Sequence, residues 1–137
     1  MSEKPNQMQM PKIGEFSWNE LTTTDAPAAE AFYTELFGWK AEPFNPAGMA
    51  SDGPPYIVFK TAPKGLGVGG MMACPTPGTP AQWHAYVIVK NVDATLAQAA
   101  RLGAKVLMPA MDVPEVGRVA MIRDPQGAAI GLHQPPG

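Results

Sequence analysis

Apolar and polar positions change period several times along the chain, and each change marks an element. From Ile13 to Thr22 they alternate, with Phe16, Trp18, Glu20 and Thr22 on one face and Ser17, Asn19 and Leu21 on the other, which predicts a strand. The period then lengthens. Ala29, Phe32, Tyr33, Leu36 and Phe37 fall at helical spacing and predict a buried stripe. Asp25 is placed to cap the helix N-terminus, Pro27 sits in the first turn where a missing N–H is harmless, and Gly38 supplies a left-handed stop. Trp39 turns the chain back toward a sheet. The proline- and glycine-rich stretch Glu42–Pro55 reads as a loop or ragged edge strand, Tyr56–Thr61 as a strand, Pro63-Lys64-Gly65 as a turn and Val68–Cys74 as a glycine-led strand.

The same series then recurs. After a linker from Pro75 to Pro80, Trp83–Val89 alternates with His84, Tyr86 and Ile88 on one face. Asp93 is placed as the cap of a second helix, whose stripe is Leu96, Ala99, Ala100 and Leu102 and whose stop is Gly103. A short strand at Val106–Met108, a turn-rich crossing from Asp112 to Gly117 and a strand at Arg118–Arg123 follow. Asp124-Pro125-Gln126-Gly127 has the residues of a tight turn, and Ala128–Gln134 closes the series as a strand. Each half reads strand, helix, then about three strands. Trp18 and His84 stand 66 residues apart, and Gly38 and Gly103 stand 65 apart, a near-constant offset that predicts a duplication. The expected architecture is an α+β domain over residues 12–137, built from two βαβββ modules at about 12–75 and 81–135, behind a loose arm at 1–11.

Composition narrows the partners. The chain has 137 residues with 14 Gly and 16 Pro and only 16% charged residues, which suits short strands and many turns. Ten basic against 12 acidic residues give a net charge of −2, and no basic stripe is present to follow a phosphate backbone, so nucleic acid is not expected. Cys74 is the single cysteine, which rules out a disulfide within the chain. The sequence opens Met-Ser-Glu-Lys-Pro without an apolar signal core, and no apolar run could span a bilayer, so a cytoplasmic protein without a membrane partner is expected.

Three stretches carry a resemblance: Thr24-Asp25-Ala26-Pro27 leading through Ala31-Phe32-Tyr33-Thr34-Glu35-Leu36-Phe37-Gly38-Trp39, then His84 to Asp93, then Asp124-Pro125-Gln126-Gly127-Ala128. Together they resemble the vicinal oxygen chelate superfamily, which includes glyoxalase I, bleomycin-resistance proteins and extradiol dioxygenases. The resemblance implies paired βαβββ modules whose sheets form a cup. In metal-dependent members, four inward side chains hold a divalent ion that acts as a Lewis acid. Carried over, those ligand positions fall on Trp18, near Met71 and Met72, on His84 and on Gly131. Indole has no lone pair to give and a thioether suits a hard cation poorly, so His84 alone survives and no cofactor is expected. Glu20 and His133 share strand parity with Trp18 and Gly131. With His84 they offer a displaced two-histidine, one-carboxylate set for a divalent metal, two residues or about 6–7 Å out of place.

Glu20 and His84 are the candidate catalytic pair, a carboxylate whose pKa burial would raise and an imidazole suited to proton transfer. Their bland readings are a glutamate paired with Arg118 or Arg123 and a histidine hydrogen-bonded near Tyr86 or Glu20. Trp18, Tyr86, Met71 and His133 are the candidate ligand-binding residues. Gly65 to Gly70 lacks the Lys-Ser/Thr ending of a phosphate loop, and nothing beside Cys74 would activate it. The expected function is a cup that binds a small, flat or apolar organic molecule. The alternative is a divergent lyase, isomerase or dioxygenase-type enzyme resembling lactoylglutathione lyase, acting through the displaced metal or through Glu20 and His84. A homodimer is expected.

Overall fold

The computed structural model describes residues 11–44, 55–63, 67–74 and 78–137. The expected arm up to Met10, the Lys64-Gly65 turn and the first residues of the linker lie outside them. The described elements are β1 (Phe16–Thr23), α1 (Ala26–Phe37), β2 (Lys40–Phe44), β3 (Tyr56–Lys60), β4 (Gly67–Ala73), β5 (Gln82–Ile88), α2 (Val92–Arg101), β6 (Lys105–Val113), β7 (Gly117–Arg123) and β8 (Ala129–Gln134). The fold is α+β, and each half runs βαβββ as expected.

The strands form one eight-stranded sheet in the order β2-β3-β4-β1-β5-β8-β7-β6. Within each half the first strand pairs in parallel with the last, β1 with β4 and β5 with β8. The halves join where β1 runs antiparallel to β5. In that join Asn19 faces Ala85, Trp18 faces Tyr86 and Glu20 faces His84. A shift of 66 residues carries Trp18 onto His84, Asn19 onto Ala85 and Glu20 onto Tyr86. The duplication offset therefore defines a local two-fold axis through the Asn19–Ala85 pair.

One face of the sheet is closed by the helices. Leu21, Ile57, Phe59 and Met71 form a core against Ala26, Ala29 and Tyr33 of α1. Val92, Ala120, Ile122 and Leu132 form its counterpart with Leu96 and Ala99 of α2. The other face curls into a cup. Met72 of β4 and Met108 of β6 are five strands apart in the sheet yet line one cavity. A flat sheet would hold them about 24 Å apart at about 4.8 Å per strand.

Several local expectations are corrected. Ser17 is extra in the β1–β5 ladder, a bulge that removes Phe16 from the face of Trp18 and leaves it in solvent. Helix α1 meets the sheet through Ala26, Ala29 and Tyr33, and beyond these its stripe is uncovered: Phe32, Leu36 and Phe37 are 57%, 57% and 56% exposed. Strand β6 is longer than expected, because register shifts on both sides of Met108 absorb Pro109 at the sheet edge. Asp25 caps α1 as expected, accepting from the Ala28 N–H. The cap of α2 is Asn91, accepting from the Ala94 N–H at 2.8 Å, and not Asp93. Asp93 instead takes a forked ion pair from Arg118 at 2.9 and 3.1 Å.

These two roles separate by energy. Asn91→Ala is expected to lower stability by about 1 kcal/mol, the usual size of a lost cap. Asp93→Ala removes only an exposed, solvent-screened pair and is expected to cost less than the lost cap. Urea denaturation of the two variants measures the order.

Candidate functional site

Alternation along β1 sends Leu21 to the helix side and Trp18, Glu20 and Thr22 into the cup. Glu20 is buried, with 6% of its surface exposed. Both carboxylate oxygens are satisfied by phenols: Tyr86 donates to Oε1 at 2.9 Å and Tyr56 to Oε2 at 2.8 Å. The Trp18 indole donates to the Tyr56 oxygen at 2.9 Å. Indole can only donate, so the Tyr56 oxygen must accept and its proton is directed onto Glu20. Each oxygen of Glu20 keeps a second lone pair for a ligand.

Two glycines make this arrangement fit. A Cβ at Gly70 would overlap the Tyr56 hydroxyl, and one at Gly131 would overlap the Tyr86 ring. Gly70 faces Glu20 across β1–β4, and Gly131 faces Tyr86 across β5–β8, so the local two-fold relates these glycines as well. The last-strand position of the first module is therefore Gly70, a correction of the expectation near Met71 and Met72.

His84 faces Glu20 across the ladder and is buried. Its Nε2 lies 3.0 Å from the Thr22 hydroxyl, which also reaches the Gln82 carbonyl at 3.4 Å. Its partner is thus Thr22 rather than Tyr86 or Glu20. Glu20, Thr22, Met72, Gln82, His84, Leu107, Met108, Met121, Arg123 and Ala129 surround a cavity of about 90 Å³. A wider groove of about 400 Å³ lies at the far rim, but its Arg118 is already committed to Asp93 and Asp112.

The expected binding wall is redrawn. Met71 pairs with Leu21 and shares its direction, so it is sealed in the helix-side core, and Met72 faces the cavity instead. Trp18 and Tyr86 support Glu20 rather than line the cavity. His133 is held elsewhere: Nε2 lies 2.7 Å from the Val116 carbonyl and Nδ1 lies 3.0 Å from the Ser17 hydroxyl. A carbonyl only accepts, which makes Nε2 the protonated nitrogen and leaves Nδ1 to accept from Ser17 in the neutral ring. Neither nitrogen is available to a metal shared with His84. The displaced metal set is not assembled, and among the described residues no three of His, Cys, Asp and Glu gather as ligands. Trp18, Gly70 and Gly131 offer no side-chain lone pair, so the donor set does not fit the divalent ion that the resemblance implies. Tyr56, Thr22, Gln82 and Arg123 were not selected from the sequence as site residues. The one available signal was parity, which puts Tyr56 opposite to buried Ile57 and Phe59.

Burial raises the Glu20 pKa above its ordinary value, and the hydrogen bonds from Tyr56 and Tyr86 pull the other way. Burial and the nearby Glu20 carboxylate raise both tyrosines, so they remain phenols and donors. Burial lowers His84 and favours neutral imidazole. The signs for stability follow. Native Glu20 holds its proton to higher pH than the unfolded chain, so its contribution is full below the unfolded value of 4.5 and is lost as pH rises through the native one. His84 acts oppositely: its contribution is full above the unfolded value of 6.5 and is lost as pH falls through the native one. Wild-type stability minus that of Glu20→Gln is expected to fall as pH rises from 4.5, and wild type minus His84→Gln to rise with pH up to 6.5, both then levelling. Chemical denaturation across that range checks both slopes.

Comparisons with known proteins agree with this architecture. A family model described as a glyoxalase-like domain matches residues 19–133. CFP32 of Mycobacterium tuberculosis, which carries the provisional name of a glyoxylase, is 39% identical over 124 residues, covering 90% of this chain and 45% of that protein. The anthracycline biosynthesis protein DnrV of Streptomyces peucetius is 30% identical over 128 residues, covering 85% and 45%. The chain thus spans about half the length of the curated relatives it matches. Among solved structures, methylmalonyl-CoA epimerase from Mycobacterium tuberculosis superimposes with a TM-score of 0.57 at 15% identity, covering 96% of this chain and 95% of that one. An extradiol ring-cleaving dioxygenase from B. fuscum gives 0.58 at 17% identity, covering 93% and 34%. These structures share the fold with this chain. With the family match spanning the sheet, both helices and the cup, the chain belongs to the glyoxalase-like family of the vicinal oxygen chelate superfamily.

Proposed function

We propose that the cup binds a small organic molecule against Glu20 and His84. The observation that carries this reading is a buried carboxylate, held by two phenols, that still lines a cavity beside an imidazole. Structural polar groups are normally closed off by their partners. Here each oxygen has one phenolic partner and the residue still lines a cavity. Met72, Met108, Met121 and Leu107 give that cavity adaptable apolar walls.

A second reading rests on the same carboxylate. Held above its ordinary pKa and next to neutral His84, Glu20 is placed to take a proton from a bound carbon acid, and His84 to move one at a second position. No step of this reading passes through a metal, since the donor set does not fit one. Homodimer formation belongs to the proposal too, supported by the uncovered side chains of Phe32, Leu36 and Phe37 on α1.

Met121→Trp, which fills the cavity, is expected to abolish the rise in melting temperature that small organic ligands give the wild type. A broad ligand screen in which nothing protects the wild type would sink the binding reading. For the acid–base reading, Glu20→Gln is expected to slow deuterium exchange into a bound carbon acid by about 10²–10⁴-fold, measured by NMR in D₂O. Light scattering checks the dimer: wild type should have twice the chain mass and Leu36→Glu the chain mass.

A further inference from the structure

Arg123 is the one charged group of the cavity wall that the site described so far does not use. It lines the cavity with Glu20, Thr22, Gln82 and His84, and its Nε is buried without a hydrogen-bond partner. No carboxylate among the described residues pairs with it. Both oxygens of Glu20 take phenolic protons. Asp124, next in the chain, spends Oδ1 on the Gln126 and Ala128 N–H groups of its own turn. Glu42 pairs with Lys60, and Asp93 and Asp112 pair with Arg118. Among the described residues Arg123 has no ion-pair partner. A guanidinium cannot shed its charge by deprotonating, so a buried Nε–H without an acceptor is a costly feature that apolar packing would avoid.

We infer that Arg123 is the anion-binding end of the cup and that the ligand is a small monocarboxylate. This rests on the reading of the cup as a small-molecule site. The guanidinium fork matches a carboxylate in two parallel hydrogen bonds. The remainder of the acid lies among Met72, Met108 and Met121, toward Glu20 and His84. Charge selects a carboxylate over a phosphate: Arg123 is the sole cation of this wall, and Glu20 shares the cavity, so a dianion would meet one positive group and one acidic one. Size favours a small acid, since the cavity is about 90 Å³.

Calorimetry on the full chain, with pyruvate, butyrate and benzoate each set against its primary amide, decides the matter. At least one acid is expected to bind 10-fold or more tighter than its amide. Arg123→Met is expected to erase that preference while unfolding no earlier than wild type, because it removes an unpartnered donor. Arg123→Lys is expected to retain a weakened preference, since an ammonium keeps the charge without the fork; this variant and the wild-type comparison suffice if the methionine variant does not fold. Amides that bind as well as acids, an Arg123→Met protein that still prefers acids, or inorganic phosphate binding more tightly than every acid would each overturn the inference. If uncharged molecules bind in the cup and lose affinity in Met121→Trp, the cup reading survives that failure. If nothing binds, both fall together.

Discussion

A carboxylate taken out of water needs donors on both oxygens, and this requirement at Glu20 organises the centre of the molecule. The donors are phenols, one from each module. Phenols are long and rigid, so they reach the carboxylate only where neighbouring strands give up their side chains, at Gly70 and Gly131. The indole of Trp18 fixes the direction of the Tyr56 proton. One buried charge thus accounts for an aromatic, two phenols and two glycines at positions that would otherwise look unrelated. Three of these, Trp18, Gly70 and Gly131, stand where the superfamily resemblance implies metal ligands or, by the local two-fold, the counterpart of one.

Much of the frame was legible in the sequence because it depends on local chemistry. Asp25, Pro27 and Gly38 bracket a helix by rules that act within a few residues, and the 66-residue offset reappears as paired residues on β1 and β5. Errors came where a distant strand decides. Met71 and Met72 are alike in composition, and only pairing with Leu21 and Thr22 tells core from cup. Asn91 and Asp93 can both cap, but Arg118 captures the aspartate from across the fold. The bulge at Ser17 breaks an alternation that looks unbroken in one dimension. The glycines opposite the tyrosines were the least legible, because a missing side chain acquires meaning only beside the ring that fills its place.

The cup combines two kinds of polar group. Glu20 has a phenolic donor on each carboxylate oxygen, which fixes its geometry before any ligand arrives. Arg123 is not saturated and leaves a charge facing an apolar-walled space. Preorganised groups set orientation and chemistry, while an unsatisfied one supplies attraction. In the proposed reading, the placing of Glu20 on β1 and Arg123 on β7 separates the holding of a ligand from any reaction upon it.

The local two-fold through Asn19 and Ala85 also bears on autonomy. Glu20 and Tyr86 are counterparts under that axis and are bonded to one another. Were the copies identical at this place, the result would be two acids in repulsion or two phenols with no acid between them. The halves fit because they differ at this matched pair. Cut apart at the linker, the first would keep Tyr56 but present a bare carboxylate oxygen, and the second a phenol with nothing to receive its proton. The hydrogen bond that satisfies the second carboxylate oxygen exists only at their seam.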